Sequence, residues 1–196
     1  CTDREIIENP YILYEKTRLK SGGAEKLYVS VKKVDMAVFP VPSIAERYPL
    51  EAPTKLSSDN DERRIRAIAV DVLENEALAG NTILPCDLLV TKMQNLTLDP
   101  ACKVTKDILI AIEKHLSEEI MKREMKNGTE YYKLNRIHEF DAVIEKRIKK
   151  RLKRDNRLDV KADWEQMLID KFGVPKNDIE RDGLSEKRAA LEELSC

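Results

Sequence analysis

The 196-residue sequence is short of aromatics, glycine, histidine and cysteine, and each shortage removes a class of answer. Aromatic residues make up 5%, too few for a β-sandwich core. The many Leu, Ile, Ala, Glu and Lys residues favour helices packed through aliphatic side chains. Of six glycines, only Gly22-Gly23 are adjacent, and no Lys-hydroxyl sequel follows them. A loop that gathers backbone N–H groups around a triphosphate needs both features. The two histidines, His115 and His138, are not set among carboxylates at metal-ligand spacing, so each reads as a surface or helix-end residue. Cys1, Cys86, Cys102 and Cys196 show no CxxC spacing, which argues against a zinc ribbon or a disulfide framework and leaves reduced thiols. No window has the apolar length that spans a bilayer, and the opening Cys-Thr-Asp-Arg-Glu lacks the basic-then-apolar order of a secretory signal. The expectation is a cytoplasmic, non-catalytic chain that binds no metal or cofactor through its own residues. With no Met at position 1 and a helical pattern running into Cys196, it is expected to be a piece of a longer protein.

What is present is aliphatic and densely charged: 42% hydrophobic and 36% charged residues, with a formal net charge of -1. Such a balance folds, and it gives the whole molecule no general attraction for nucleic acid or acidic membranes. Locally the balance breaks. Between Asp141 and Arg157, Lys146, Arg147, Lys149, Lys150, Arg151, Lys153, Arg154 and Arg157 face only Asp141, Glu145 and Asp155. That run reads in two ways: a surface that neutralises phosphates without reading base sequence, or the solvated face of an exposed helix.

Local signals order the chain. Thr2 to Thr17 is helix-permissive around Asn9-Pro10, with Tyr11, Leu13 and Tyr14 as a packing face. Leu27, Val29 and Val31 alternate as a short strand. Pro40, Pro42, Pro49 and Pro53 mark Phe39 to Ser58 as a linker or irregular arm. Asp59 to Ala79 carries a 3.6-residue apolar period ended by Gly80. An extended piece at Asn81 to Leu84 precedes a helix from Pro85 to about Leu96, then a helix from Thr105, its N-cap, to Leu116. Glu119 to Met125 and Glu130 to Leu134 flank Asn127-Gly128, the turn of a β-hairpin. Helix, strand, helix, helix, hairpin is the order of a winged helix-turn-helix. A basic amphipathic helix at His138 to Arg154, a helix at Ala162 to Phe172 closed by Gly173, a loop from Val174 to Gly183 and a helix from Ser185 complete the reading.

The fold class expected is therefore mainly α with a small β part: a helical N-terminal region with a Pro-rich arm (1–58), a winged-helix domain (59–136), and a basic helix with a helical connector (137–196). Candidate nucleic-acid contacts are Lys122, Lys126 and Asn127 on the wing and Lys146, Arg147, Lys149, Lys150, Lys153 and Arg154 on the basic helix. In the second helix of the helix-turn-helix, Lys106 and Lys114 are offset by Asp107 and Glu113, a poor set for entering an anionic groove.

Three blocks together carry a resemblance: Glu8-Asn9-Pro10-Tyr11; Arg63-Arg64-Ile65-Arg66-Ala67 through Ala79-Gly80-Asn81-Thr82-Ile83-Leu84-Pro85; and Leu184-Ser185-Glu186-Lys187-Arg188-Ala189-Ala190-Leu191. This pattern resembles the N-terminal, pre-motor region of RecD-like ATP-dependent DNA helicases, the family that includes the exonuclease V alpha subunit. Asn81 stands where that family has His, Lys187-Arg188 where it tends to have Gln, and the family's Gly-Ile-Gly-Phe hairpin has no counterpart. The resemblance implies an accessory region that positions DNA, or partner helicase and nuclease subunits, next to its own motor domain. ATP and Mg²⁺ would belong to that motor, and the setting would be bacterial and nucleoid-associated. Two alternatives stand beside it: a dimeric winged-helix regulator of a specific operator, and an interaction module without DNA affinity.

Overall fold

The computed structural model describes residues 2–20, 29–126, 128–152 and 162–195. It is mainly helical, with one small three-stranded antiparallel sheet. Cα packing divides the chain into two units, 1–142 and 143–196. The segments 1–58 and 59–136 both lie in the first unit, and 137–196 begins inside a helix that runs through the division.

The first unit opens with α1 (Asp3–Glu8), closed by a reciprocal cap. Glu5 N–H donates to Thr2 Oγ1 (3.3 Å) and Thr2 N–H to the Glu5 carboxylate (2.7 Å), satisfying donors that a helix start leaves open. Asn9 Oδ1 accepts from Tyr11 N–H (3.1 Å), turning the chain into α2 (Ile12–Thr17). The strand expected at Leu27 to Val31 is corrected at its end. Val31 instead begins α3 (Val31–Val38), capped by Ser30, while Leu27 lies outside the described residues. Val31, Val34, Asp35 and Val38 are all buried, a three-to-four-residue spacing that outweighs a three-residue alternation. The Pro-rich arm also contains a helix, α4 (Pro42–Arg47), because Pro42 occupies the first turn, where its missing N–H costs nothing.

The spine is α5 (Glu62–Leu78), capped by Asp61, which accepts from Arg63 N–H (3.1 Å). Beyond Gly80 (φ 95°) come β1 (Leu84–Pro85) and α6 (Cys86–Gln94). Thr105 caps the next helix as expected, but the helix breaks at Ile112 (φ -101°, ψ 15°) into α7 (Lys106–Ala111) and α8 (Glu113–Leu116). Ile108, Ile110 and Ile112 crowd successive turns with β-branched side chains, which weakens helix propagation there. The hairpin consists of β2 (Ile120–Glu124) and β3 (Glu130–Leu134), with Ile120 opposite Leu134 and Glu124 opposite Glu130. Its turn is longer than the two-residue form expected of Asn-Gly. Met125 N–H donates to Thr129 C=O (3.0 Å) and Gly128 N–H to Met125 C=O (2.9 Å), so three residues close the loop and Gly128 (φ 76°) takes the left-handed position. The sheet order is β1-β3-β2.

From β3 the chain passes directly into α9 (Asn135–Leu152), starting before the expected His138. In the second unit, α10 (Trp164–Phe172) is capped by Asp163 and ended by Gly173 (φ 87°). The loop expected over Val174 to Gly183 is shorter than predicted, because α11 (Asp178–Ser195) already includes Gly183. Asn177 Oδ1 accepts from Glu180 N–H (2.8 Å) and Asn177 Nδ2 donates to the Glu180 carboxylate (3.1 Å). That local nucleus outweighs the roughly 1 kcal/mol that a helical glycine costs.

The core of the first unit joins α2, α3, α5, α6, α7, α8 and the sheet through Tyr11, Tyr14, Val34, Ile65, Ile68, Leu89, Met93, Leu109, Leu116 and Tyr132. Two arginines of α5 lie inside it. Arg64, 0% exposed, makes a two-pronged contact with Asp35, 2% exposed (both 2.8 Å). Tyr11 Oη donates to the same carboxylate (2.6 Å), and the Phe39 ring lies 4.7 Å from the guanidinium. Arg66 grips Glu15 in the same way (2.8 and 2.9 Å) and also reaches Glu118. Asp35→Ala leaves the Arg64 guanidinium buried without its counter-charge and should cost about 3–5 kcal/mol. Urea unfolding would show this as a lower midpoint with an unchanged slope; a loss under about 1 kcal/mol would show the fork to be dispensable.

Candidate nucleic-acid interface

The residues expected to meet phosphate fall into two groups with opposite electrostatic surroundings. On the hairpin, Lys122 pairs with Glu130 (2.8 Å) and Glu113 (3.2 Å), while Lys106, at the start of α7, pairs with Glu130 (3.0 Å). The hydrogen bond that Lys122 donates to the Glu130 carboxylate is the main reason that it holds its proton well above the usual lysine range. These four side chains tie α7 and α8 to the hairpin and neutralise one another. Lys126 is exposed at the hairpin tip, and Asn127 lies outside the described residues. Arg123 is exposed, with its guanidinium 3.5 Å from His138 Nδ1.

On α9, Lys146, Arg147, Lys149 and Lys150 are all exposed, and Arg151 continues the run. Lys149 pairs with Glu145 one turn back (2.5 Å), which draws the Glu145 carboxyl below its usual range. Among the described residues, no carboxylate lies within ion-pair distance of Lys146, Arg147, Lys150 or Arg151. Lys153 and Arg154 lie outside the described residues. The structure thus separates cations that sequence alone treated as equivalent: Lys122 is engaged by carboxylates of the first unit, whereas Lys126 at the hairpin tip and the α9 cations face solvent, Lys149 beside Glu145. A signal for Lys122 existed, because the hairpin register sets it opposite Tyr132 and thus diagonal to Glu130.

The Arg63-Arg64-Ile65-Arg66 block also spends its charge internally. Arg63 pairs with Asp61 (2.9 Å) and donates to the carbonyls of Glu8 (2.7 Å), Pro53 (2.7 Å) and Lys55 (3.2 Å), fastening the arm to α5. Arg18 joins Glu74 (3.1 Å) and Glu119 (2.7 Å), and Arg136 joins Glu74 (2.9 Å).

No family model, curated protein or solved structure matches this chain. Among the described residues, no three His, Cys, Asp or Glu side chains are grouped to hold a metal ion, and no helix is long and apolar enough to cross a membrane. Cys86 and Cys102 are free and buried, and burial raises both thiol pKa values. In the second unit, α10 and α11 border a cavity of about 250 Å³ whose lining is half apolar (Leu168, Ile169, Pro175 and Leu184) and half polar (Glu165, Arg181, Ser185 and Arg188). Arg188 at its edge is held by Glu165 (2.5 Å) and Glu192 (2.8 Å).

His115, at the end of α8, faces α5. Its carbonyl accepts from Arg66 (3.4 Å), its Nδ1 lies 3.8 Å from Glu62, and its buried Nε2 has no hydrogen-bond partner among the described residues. Burial, then repulsion by Arg66, lowers its pKa below the ordinary 6.5; Glu62 and Glu118 pull the other way without reversing the shift. The unfolded chain then binds the proton more readily than the folded one. Stability should fall as pH drops through 6.5 and level off below the folded pKa. Thermal unfolding of wild type and His115→Gln from pH 7.5 to 5 checks this: the variant should lose less stability over that window, and parallel curves would contradict it.

Proposed function

We propose that this chain is a non-catalytic module, built around a winged helix, that holds DNA by its phosphates for a RecD-like ATP-dependent DNA helicase. The order α5, β1, α6, α7 with α8, β2, β3 supports the winged-helix reading, as does the antiparallel arrangement β1-β3-β2, with the hairpin strands forming the wing. ATP and Mg²⁺ would be bound by a motor domain elsewhere in the parent protein, which, with DNA and companion subunits, would be the partner of this module.

One observation carries the DNA reading: five cations within six positions, Lys146 to Arg151, are exposed on one helix beside a single carboxylate, Glu145. Like charges one turn apart, as in Lys146/Lys150 and Arg147/Arg151, destabilise a helix, and an anionic partner removes that penalty. Contact through such side chains is electrostatic and blind to base sequence. A regulator that reads an operator needs groove-facing cations on α7 and α8, where Lys106 is instead committed to Glu130.

Fluorescence anisotropy with labelled random duplexes tests the reading. Affinity should be indifferent to sequence and fall as salt rises, with a log–log slope of about -3 to -4 if about four phosphates are neutralised. Lys146→Glu, Lys149→Glu and Lys150→Glu together should weaken binding at least about tenfold, since each lost phosphate contact removes part of that term. Unchanged affinity in the triple variant would overturn the assignment of α9, and strong preference for one duplex would favour an operator-binding regulator.

A further inference from the structure

We infer that the outer face of the β1-β3-β2 sheet binds an unpaired DNA strand, with Tyr131 as the surface on which a base stacks and Arg123 and Lys126 as contacts to the flanking phosphates. Resting on the reading that the chain binds DNA, this site in the first unit adds a strand class to it. Pairing across the sheet sets Pro85 and Arg123 on either side of Tyr131, in one row on one face. Leu84, Ile120, Tyr132 and Leu134 point the other way, into the core, and all are buried. On the outer face Pro85, Met121 and Tyr131 are half-buried, Arg123 is exposed, and Met125 near the tip is 50% exposed.

The same alternation sorts the charges. Glu124 and Glu130 fall on the core side of the sheet, where Glu130 holds Lys122 and Lys106, and Asp87 of α6 acts on Lys106 in the same cluster. Two carboxylates of α9 come near the hairpin in sequence. Asp141 is held by Lys133, and Glu139 lies about 130° round the helix from the side on which His138 and Asp141 meet the strands. Arg123 instead touches Met121 Sδ (3.4 Å) and His138 Nδ1 (3.5 Å). Among the described residues, no carboxylate lies within ion-pair distance of Arg123 or Lys126, and no cation lies over the Tyr131 ring. A ring beside two unneutralised cations matches a base between two phosphates, because every base offers a π-face and strand phosphates flank it. In a duplex those base faces are already stacked on their neighbours, so the combination selects an unpaired strand. A protein partner would need a cluster of buried anchors, and this face offers one ring with a proline and two thioethers around it.

Fluorescence anisotropy with the full chain compares a labelled oligothymidylate of about twelve nucleotides with an abasic strand of the same length, which carries the phosphates without the bases. Wild type should prefer the thymidylate at least about fivefold, the lower end of what one base–aromatic stack contributes. Tyr131→Leu should bring the two affinities together, whereas Tyr131→Phe, which keeps the ring, should hold the preference. Arg123→Gln with Lys126→Gln should weaken both strands alike. With 5-bromodeoxyuridine in the strand, ultraviolet light should crosslink it to Tyr131 of the wild-type chain, a readout that no folding defect of a variant can imitate. Equal affinity of the wild type for the two strands, or crosslinks on other residues only, would overturn the inference. So would Tyr131-dependent dimerisation in sedimentation. Labelled duplex measured alongside separates this site from the function on which it is built. The Lys146→Glu, Lys149→Glu and Lys150→Glu variant should lose duplex affinity and keep the ratio of thymidylate to abasic binding. Duplex binding without that ratio in the wild type removes only the sheet face, and a ratio that holds while the triple variant leaves duplex affinity unchanged removes only the α9 reading.

Discussion

Two guanidinium groups sealed away from water hold the first unit in its arrangement. Arg64 and Arg66 project from the same turn of α5 into opposite neighbours, one meeting Asp35 of α3 and the other Glu15 of α2. A buried arginine cannot shed its charge, so each demands a carboxylate in one position and one orientation. Burial disfavours the charge on Arg66, and the Glu15 and Glu118 carboxylates outweigh that penalty. Aliphatic packing alone would let α2 and α3 slide on α5. The forks specify where they stop, and Tyr11 reinforces one of them by donating to Asp35.

The same accounting of charge explains where an anionic partner can and cannot bind. Arg18, Arg63, Arg64, Arg66, Lys106, Lys122 and Arg136 all have carboxylate partners within the first unit. A near-zero net charge for the chain therefore describes two different situations: neutralisation by internal pairs up to residue 142, and an unbalanced run on α9. Electrostatic attraction of DNA depends on the second, because paired charges contribute little field beyond a Debye length. Arg123 and Lys126, exposed on the hairpin, add to that unbalanced charge from the first unit.

Much of this architecture was legible in local sequence signals, because those signals act over a few residues. Thr105 caps where cap chemistry places it, Gly80 and Gly173 take positive φ at helix ends, and Glu130 to Leu134 pairs as a hairpin strand. The failures have local causes too. Val31 looked like the end of an alternating strand because the helix that it opens is decided by burial downstream, and the Asn177–Glu180 cap that starts α11 was hidden behind Gly183. The roles of Arg64 and Arg66 could not be read at all: their partners lie 29 and 51 residues away, and only the fold brings them together. At the candidate interface, the sequence identified the basic helix but could not tell its cations from Lys122 of the hairpin, which differs in having Glu113 and Glu130 opposite it.

If the two forks join α2, α3 and α5, the three helices open as a single cooperative element. Native-state hydrogen exchange measures this directly, since amides that open together share one free energy of opening and one denaturant dependence. The account predicts that the amides of Ile12–Thr17, Val31–Val38 and the buried half of Glu62–Leu78 converge on a common value as urea is raised. If α2 and α3 exchange through a separate low-energy opening while α5 stays protected, the forks do not hold the unit together and the account fails.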